Sequence, residues 1–75
     1  MAFLPILKPR EIAKALMRAG FYIHHQIGSH ARLFHRIRRD LKVTIPMHNR
    51  DLPIDTLKRI LKQADIEDGE FKKLL

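Results

Sequence analysis

Phe21-Tyr22-Ile23-His24-His25-Gln26-Ile27-Gly28-Ser29-His30-Ala31-Arg32-Leu33-Phe34-His35 alternates apolar and polar residues on either side of a Gly-Ser pair. A period of two, with aromatic and β-branched residues around a glycine, predicts two strands, 21–26 and 30–35, joined at Ile27-Gly28-Ser29. If Gln26 and His30 flank a three-residue turn, the cross-strand pairs are His25 with Ala31, His24 with Arg32, Ile23 with Leu33, Tyr22 with Phe34 and Phe21 with His35. One register then sorts the hairpin by face. Phe21, Ile23, Ala31 and Leu33 turn to the core, with His25 and His35 on the same parity; Tyr22, His24, Gln26, His30, Arg32 and Phe34 share the other side.

Upstream of the hairpin, Pro9 followed by Ile12, Leu16 and Ala19, with Gly20 just beyond, predicts an amphipathic helix over about 9–19. Arg10, Lys14 and Arg18 recur every four residues and form a basic stripe on its outer side, available to phosphate or to water. Downstream, Ile37-Arg38-Arg39-Asp40-Leu41 is a charged turn. Lys42-Val43-Thr44-Ile45-Pro46 is a third strand that stops at its proline. Met47 to Leu52 is a polar loop, and Pro53 opens a second helix whose Leu57, Ile60, Leu61 and Ala64 keep helical spacing to its end near Ala64 or Asp65. In the tail 67–75 the acids come early and the lysines late, as the helix dipole prefers, so a short last helix docked by Phe71 and Leu74 is expected despite Gly69.

Three antiparallel strands with helices on one face make an α+β fold of two layers in the order α-β-β-β-α, the architecture of double-stranded-RNA-binding domains. Seventy-five residues are expected to form a single domain over 1–75. A chain of that size buries only about 60% of its unfolded surface. Without cysteine it has neither a disulfide framework nor a thiolate metal site, as suits a reducing cytoplasm. Pro5, Lys8 and Pro9 interrupt the apolar start Met1-Ala2-Phe3-Leu4 before a signal core or membrane span could form, so a soluble cytoplasmic protein with no membrane partner is expected.

The formal charge is +7, and it is unevenly spread. Residues 1–50 hold ten Lys and Arg against Glu11 and Asp40, whereas residues 51–75 hold five against six acids. A cationic surface on the first two thirds favours a polyanionic partner, with a merely solubilising basic surface as the alternative. Five histidines invite a metal reading, yet there is no His-Glu-x-x-His, no cysteine pair and no acid near the hairpin in sequence, so neither metal nor other cofactor is expected.

Leu7-Lys8-Pro9-Arg10-Glu11, Ala19-Gly20-Phe21, Gln26-Ile27-Gly28-Ser29-His30 and Val43-Thr44-Ile45-Pro46-Met47-His48 occur in that order, followed by Leu52, Thr56-Leu57 and Ile60-Leu61-Lys62-Gln63-Ala64. This series resembles the HicA (YcfA-like) toxins of type II toxin–antitoxin systems from about Leu7 to Leu75. The resemblance implies a metal-independent endoribonuclease, an mRNA interferase, that uses the histidine of the Gly-Ser-His triplet and is neutralised by a HicB-like antitoxin. By position that histidine is His30. The chain would exist as a monomer alone or as a hetero-oligomer with the antitoxin. It departs from the commoner pattern at Ile27, where a polar or basic residue is usual, and at Asp65, where a helix-ending glycine is typical.

The chemistry suits these residue types. RNA carries its own nucleophile, the 2′-hydroxyl, and an imidazole that titrates at about pH 6.5 can both take and give protons near neutrality. Gly28 would let the backbone approach a phosphate, Ser29 and nearby N–H groups could hold it, and Arg32 is a clamp on the same face. His24, diagonal to His30 in the assumed register, is a candidate second proton-transfer group or substrate contact, or else a plain surface histidine. His25 and His35 read as structural. His48 contacts phosphate or hydrogen-bonds its own loop, and Arg10 and Lys14 are candidate phosphate contacts. Tyr22 and Phe34 offer a stacking surface for bases, or an apolar patch that an antitoxin covers. A non-catalytic RNA-binding module of the same fold is the alternative, separated from a nuclease by the Gly-Ser-His placement alone.

Overall fold

The computed structural model describes residues 3–75; Met1 and Ala2 of the apolar start lie outside the described residues. The elements are α1 Pro9–Arg18, β1 Phe21–Ile27, β2 His30–His35, β3 Lys42–Pro46, α2 Ile54–Ala64 and α3 Asp68–Lys73. The strands form one antiparallel sheet in the order β1-β2-β3. The expected α+β class and element order are the observed ones, including the short tail helix. No helix among the described residues is long and apolar enough to cross a membrane.

Each element forms where local chemistry favours it. Pro9 occupies the first turn of α1, where its missing N–H costs nothing, and the Glu11 carboxylate accepts the Lys8 N–H at 3.0 Å. α1 buries Ile12, Ala13, Ala15 and Leu16 against the sheet, and α2 buries Leu57, Ile60, Leu61 and Ala64. Between them Phe21, Ala31, Leu33, Val43 and Ile45 supply the sheet's inner face, and Phe71 of α3, fully buried, closes the core.

The hairpin departs from the expected register. Phe21, Tyr22 and Ile23 pair with His35, Phe34 and Leu33 as expected, but the pairing then shifts: His25 faces Arg32, Gln26 faces Ala31 and Ile27 faces His30. The turn is therefore Gly28-Ser29 alone, and the extra residue appears as a bulge at His24. Gly28 has φ +57° and Ser29 is not in the positive-φ region, the φ signs of a type II′ turn. That turn carries glycine at its first central position and matches the right-handed twist of the flanking strands, so it wins over a longer loop. A bulge takes up the mismatch while the core pairs at the other end of the hairpin keep their places. His25 accordingly lies on the Arg32 side rather than the core side, and Gln26 moves to the Ala31 side. Ile23 keeps the Leu33 side, yet it remains 40% exposed because β1 is an uncovered edge strand there.

The opposite edge is covered. The Thr44 N–H, pointing out of β3, donates to Gln63 Oε1 at 3.2 Å, which ties α2 alongside the strand. His35 ties the end of β2 to the C-cap of α1 and to the turn that follows the strand. Its Nε2 lies 2.9 Å from the Ala19 carbonyl, and its Nδ1 accepts the N–H groups of Ile37 at 3.1 Å and Arg38 at 2.9 Å. The ring stands edge-on to Phe21 with centroids 4.9 Å apart, so the expected structural role is the observed one. Gly20 is required beside it: φ is +103°, and a Cβ there would sit 2.7 Å from His35 Nε2.

Asp65 ends α2 in the left-handed conformation with φ +58°. Its carboxylate accepts from Arg38 Nη1 at 2.8 Å, which raises the pKa of that guanidinium further. Left-handed backbone costs an L-residue about 1 kcal/mol, whereas glycine adopts it freely and the exposed ion pair is worth less than that. Asp65→Gly is therefore expected to stabilise the protein by about 0.5 kcal/mol and Asp65→Ala to destabilise it by about 1 kcal/mol, opposite signs that denaturant melts will separate.

Candidate active site

The open face of the sheet, opposite the helices, carries most of the expected residues. His30 opens β2 and is exposed, pairing across to Ile27 on one side and Pro46 on the other. It borders a cleft of about 170 Å³ whose other walls are Thr44 and Pro46 of β3 and Thr56, Arg59 and Gln63 of α2, with Ile60 beneath. Thr56, Arg59 and Gln63 were not foreseen. They sit one residue off the buried stripe of α2, a spacing visible in the sequence, but only the packing of α2 against the β3 edge brings them to His30. Arg59 has no salt-bridge partner among the described residues.

Gly28 and Ser29 hold the tight turn just before His30. A Cβ on Gly28 would meet nothing within 4 Å, so the turn backbone lies open to an approaching group. The Ser29 carbonyl accepts the Met47 N–H, which fastens the end of β3 to the turn. Arg32, two residues along β2, is half-buried on the open face, and its Nε is buried without an acceptor. Orphaned donors of this kind are rare in folded proteins.

The five histidines sort by what their rings already do. His35 is held at both nitrogens. His48 Nδ1 accepts the Arg50 N–H at 3.1 Å, the loop contact that was one of its two expected roles. His24 and His25 face each other with Nδ1 atoms 2.8 Å apart. His30 is the one whose ring makes no hydrogen bond among the described residues. His24 stays on the open face, but the bulge gives its expected partner Arg32 to His25, and its ring stacks on Phe34 with centroids 4.1 Å apart and planes 14° apart. Phe34 is four residues from His30, about 13 Å along the strand. The structure therefore does not bring His24 to His30.

The α1 stripe is divided between two places. Arg10 borders a groove with Lys8, Met47, His48 and Asn49, close to the Ser29 end of the sheet through Met47. Lys14 lies in another groove with Leu7, Glu11, Arg18 and Leu75, where Arg18 Nη1 donates to the Leu74 carbonyl at 2.6 Å. No group of three or more His, Cys, Asp or Glu side chains among the described residues is placed to hold a metal ion.

The family model of the HicA toxin of bacterial toxin–antitoxin systems matches residues 9–66, from the first residue of α1 to just past the end of α2. This chain belongs to the HicA toxin family. A comparison with curated proteins finds no match. The HicA match spans α1, the whole sheet and α2, and so contains the Gly28-Ser29-His30 turn, the orphaned Arg32 and every wall of the His30 cleft. α3, with the buried Phe71, lies outside the matched residues. As a HicA-family member the protein is a toxin of a toxin–antitoxin pair.

Proposed function

We propose that this toxin is a metal-independent endoribonuclease that cleaves mRNA in the cytoplasm with His30 as a general acid or base, and that a HicB-type antitoxin neutralises it. The observation that carries the reading is the unengaged imidazole of His30 at the rim of a cationic cleft. Binding and chemistry divide among neighbouring groups. The turn N–H groups and Ser29 hydroxyl receive a phosphate, Arg32 and Arg59 bear its negative charge, and His30 takes one of the two proton transfers. The 2′-oxygen forms a bond to phosphorus as the bond to the 5′-oxygen breaks, leaving a 2′,3′-cyclic phosphate and a 5′-hydroxyl.

Arginine suits the two flanking positions because its planar fork matches phosphate oxygens and it is charged at every working pH. Removing one charge-assisted contact is expected to cost about tenfold, so Arg59→Ala should lower kcat/KM by about that factor with thermal stability maintained. The reading as a whole is tested by incubating the purified chain with a long single-stranded RNA in EDTA and analysing the new ends. Cyclic or 3′-phosphate ends support it. RNA that is bound and left intact would instead support the non-catalytic binding module.

A further inference from the structure

At the far end of the same open face, a pocket of about 300 Å³ lies between Tyr22, Phe34, Arg36, Arg39 and Lys42. Its floor is aromatic and its rim is cationic. The Arg36 guanidinium lies 5.1 Å from the centroid of the Tyr22 ring, Lys42 Nζ lies 5.4 Å from that of Phe34, and His24 stacks face to face on Phe34, backing one face of that ring. We propose that this pocket is a second RNA subsite, holding one nucleotide of a single strand a few nucleotides from the bond cleaved at His30. The base packs on Tyr22 and Phe34, displacing the Arg36 guanidinium from over the Tyr22 ring, and the phosphate is taken by Arg36, Arg39 and Lys42. The proposal rests on RNA being the substrate, and it adds where the strand runs.

Three features favour it. The nearby acids are diverted: Asp40 and Asp65 both pair with Arg38, at 3.8 and 2.8 Å, while Arg36, Arg39 and Lys42 have no salt bridge among the described residues. The rim is also preformed, because His35 Nδ1 binds the N–H groups of Ile37 and Arg38 and so fixes the turn that carries Arg36 and Arg39. Finally, the pocket pairs flat rings with cations, the combination that binds single strands without reading their sequence. An acidic protein segment would need the cations and leave the stacked layer unused.

The test compares the intact chain with an Arg36→Ala/Arg39→Ala variant and, separately, Phe34→Leu, each checked for an unchanged fold by circular dichroism. Two quantities are read: the affinity for an all-deoxy octanucleotide, which lacks the 2′-hydroxyl and cannot be cleaved, and the ratio of kcat/KM for an RNA octanucleotide over a dinucleotide too short to reach the pocket. The proposal expects both to fall about tenfold or more, with the salt slope of binding reduced by roughly 0.7 for each lost phosphate contact. Affinity for the octanucleotide equal to that of the parent in both variants would overturn the subsite. Octanucleotide binding weakened in the variants, with a parent chain that cleaves neither RNA, would uphold the subsite and sink the nuclease reading. Loss of antitoxin neutralisation with RNA binding intact would make the pocket a protein surface and overturn the proposal.

Discussion

His30→Ala is expected to reduce RNA cleavage by about a thousandfold, the middle of the range for removing a general acid or base, while leaving the folded structure as stable as before. The separation of the two effects follows from position. His30 is exposed, stands at the start of a strand, and its ring makes no hydrogen bond among the described residues, so truncating it uncovers no buried partner. Cleavage in EDTA, with initial rates at saturating and limiting RNA, should show the loss in kcat as well as in kcat/KM, because proton transfer is felt only in the transition state. A thermal melt of the same preparation should superimpose on that of the parent. Growth arrest on expression of the chain alone should vanish with the variant. A drop of less than tenfold would remove His30 from the proton-transfer role.

The largest effect on stability is expected at a different histidine. His35→Ala strips the Ala19 carbonyl and the Ile37 and Arg38 N–H groups of their partner and removes the edge-on contact with Phe21. A buried polar group left unsatisfied costs about 1–3 kcal/mol; with some of these groups reached by water, a total of about 3 kcal/mol is expected. For a domain of this size that is a fall of roughly 15 °C in Tm, readable by circular dichroism. The joint involves Gly20, so Gly20→Ala should also destabilise, its Cβ driving into the His35 ring from a backbone conformation that alanine resists. Were His35→Ala to melt within about 3 °C of the parent, the lock would be ornamental.

Much of this architecture is legible residue by residue. Pro9 and Gly20 bracket α1, Pro46 ends β3 and Pro53 precedes α2 as steric rules require. The sequence placed the end of α2 near Ala64 or Asp65, and Asp65 closes it with φ +58°. The hairpin was legible only in part. Phe21, Tyr22 and Ile23 pair as the alternation demands, because Phe21 and Leu33 are buried in the core and hold that end of the register; near the turn no burial constrains the register, and there the expected pairing of His24 and His25 fails. A one-residue difference in turn length is invisible to hydrophobic period and decisive for which side a histidine faces.

The candidate site divides in the same way. Local sequence by itself determined that a glycine turn would present His30 at the start of a strand and that the open face would be aromatic and basic, since turn chemistry and strand alternation act between residues close in the chain. Only the tertiary structure decided that α2 covers the β3 edge and delivers Thr56, Arg59 and Gln63 to His30, that His24 belongs with Phe34, and that His35 is consumed as a structural lock while His30 is left free. Those outcomes depend on contacts between residues far apart in sequence, which core packing selects as a whole and no local pattern encodes.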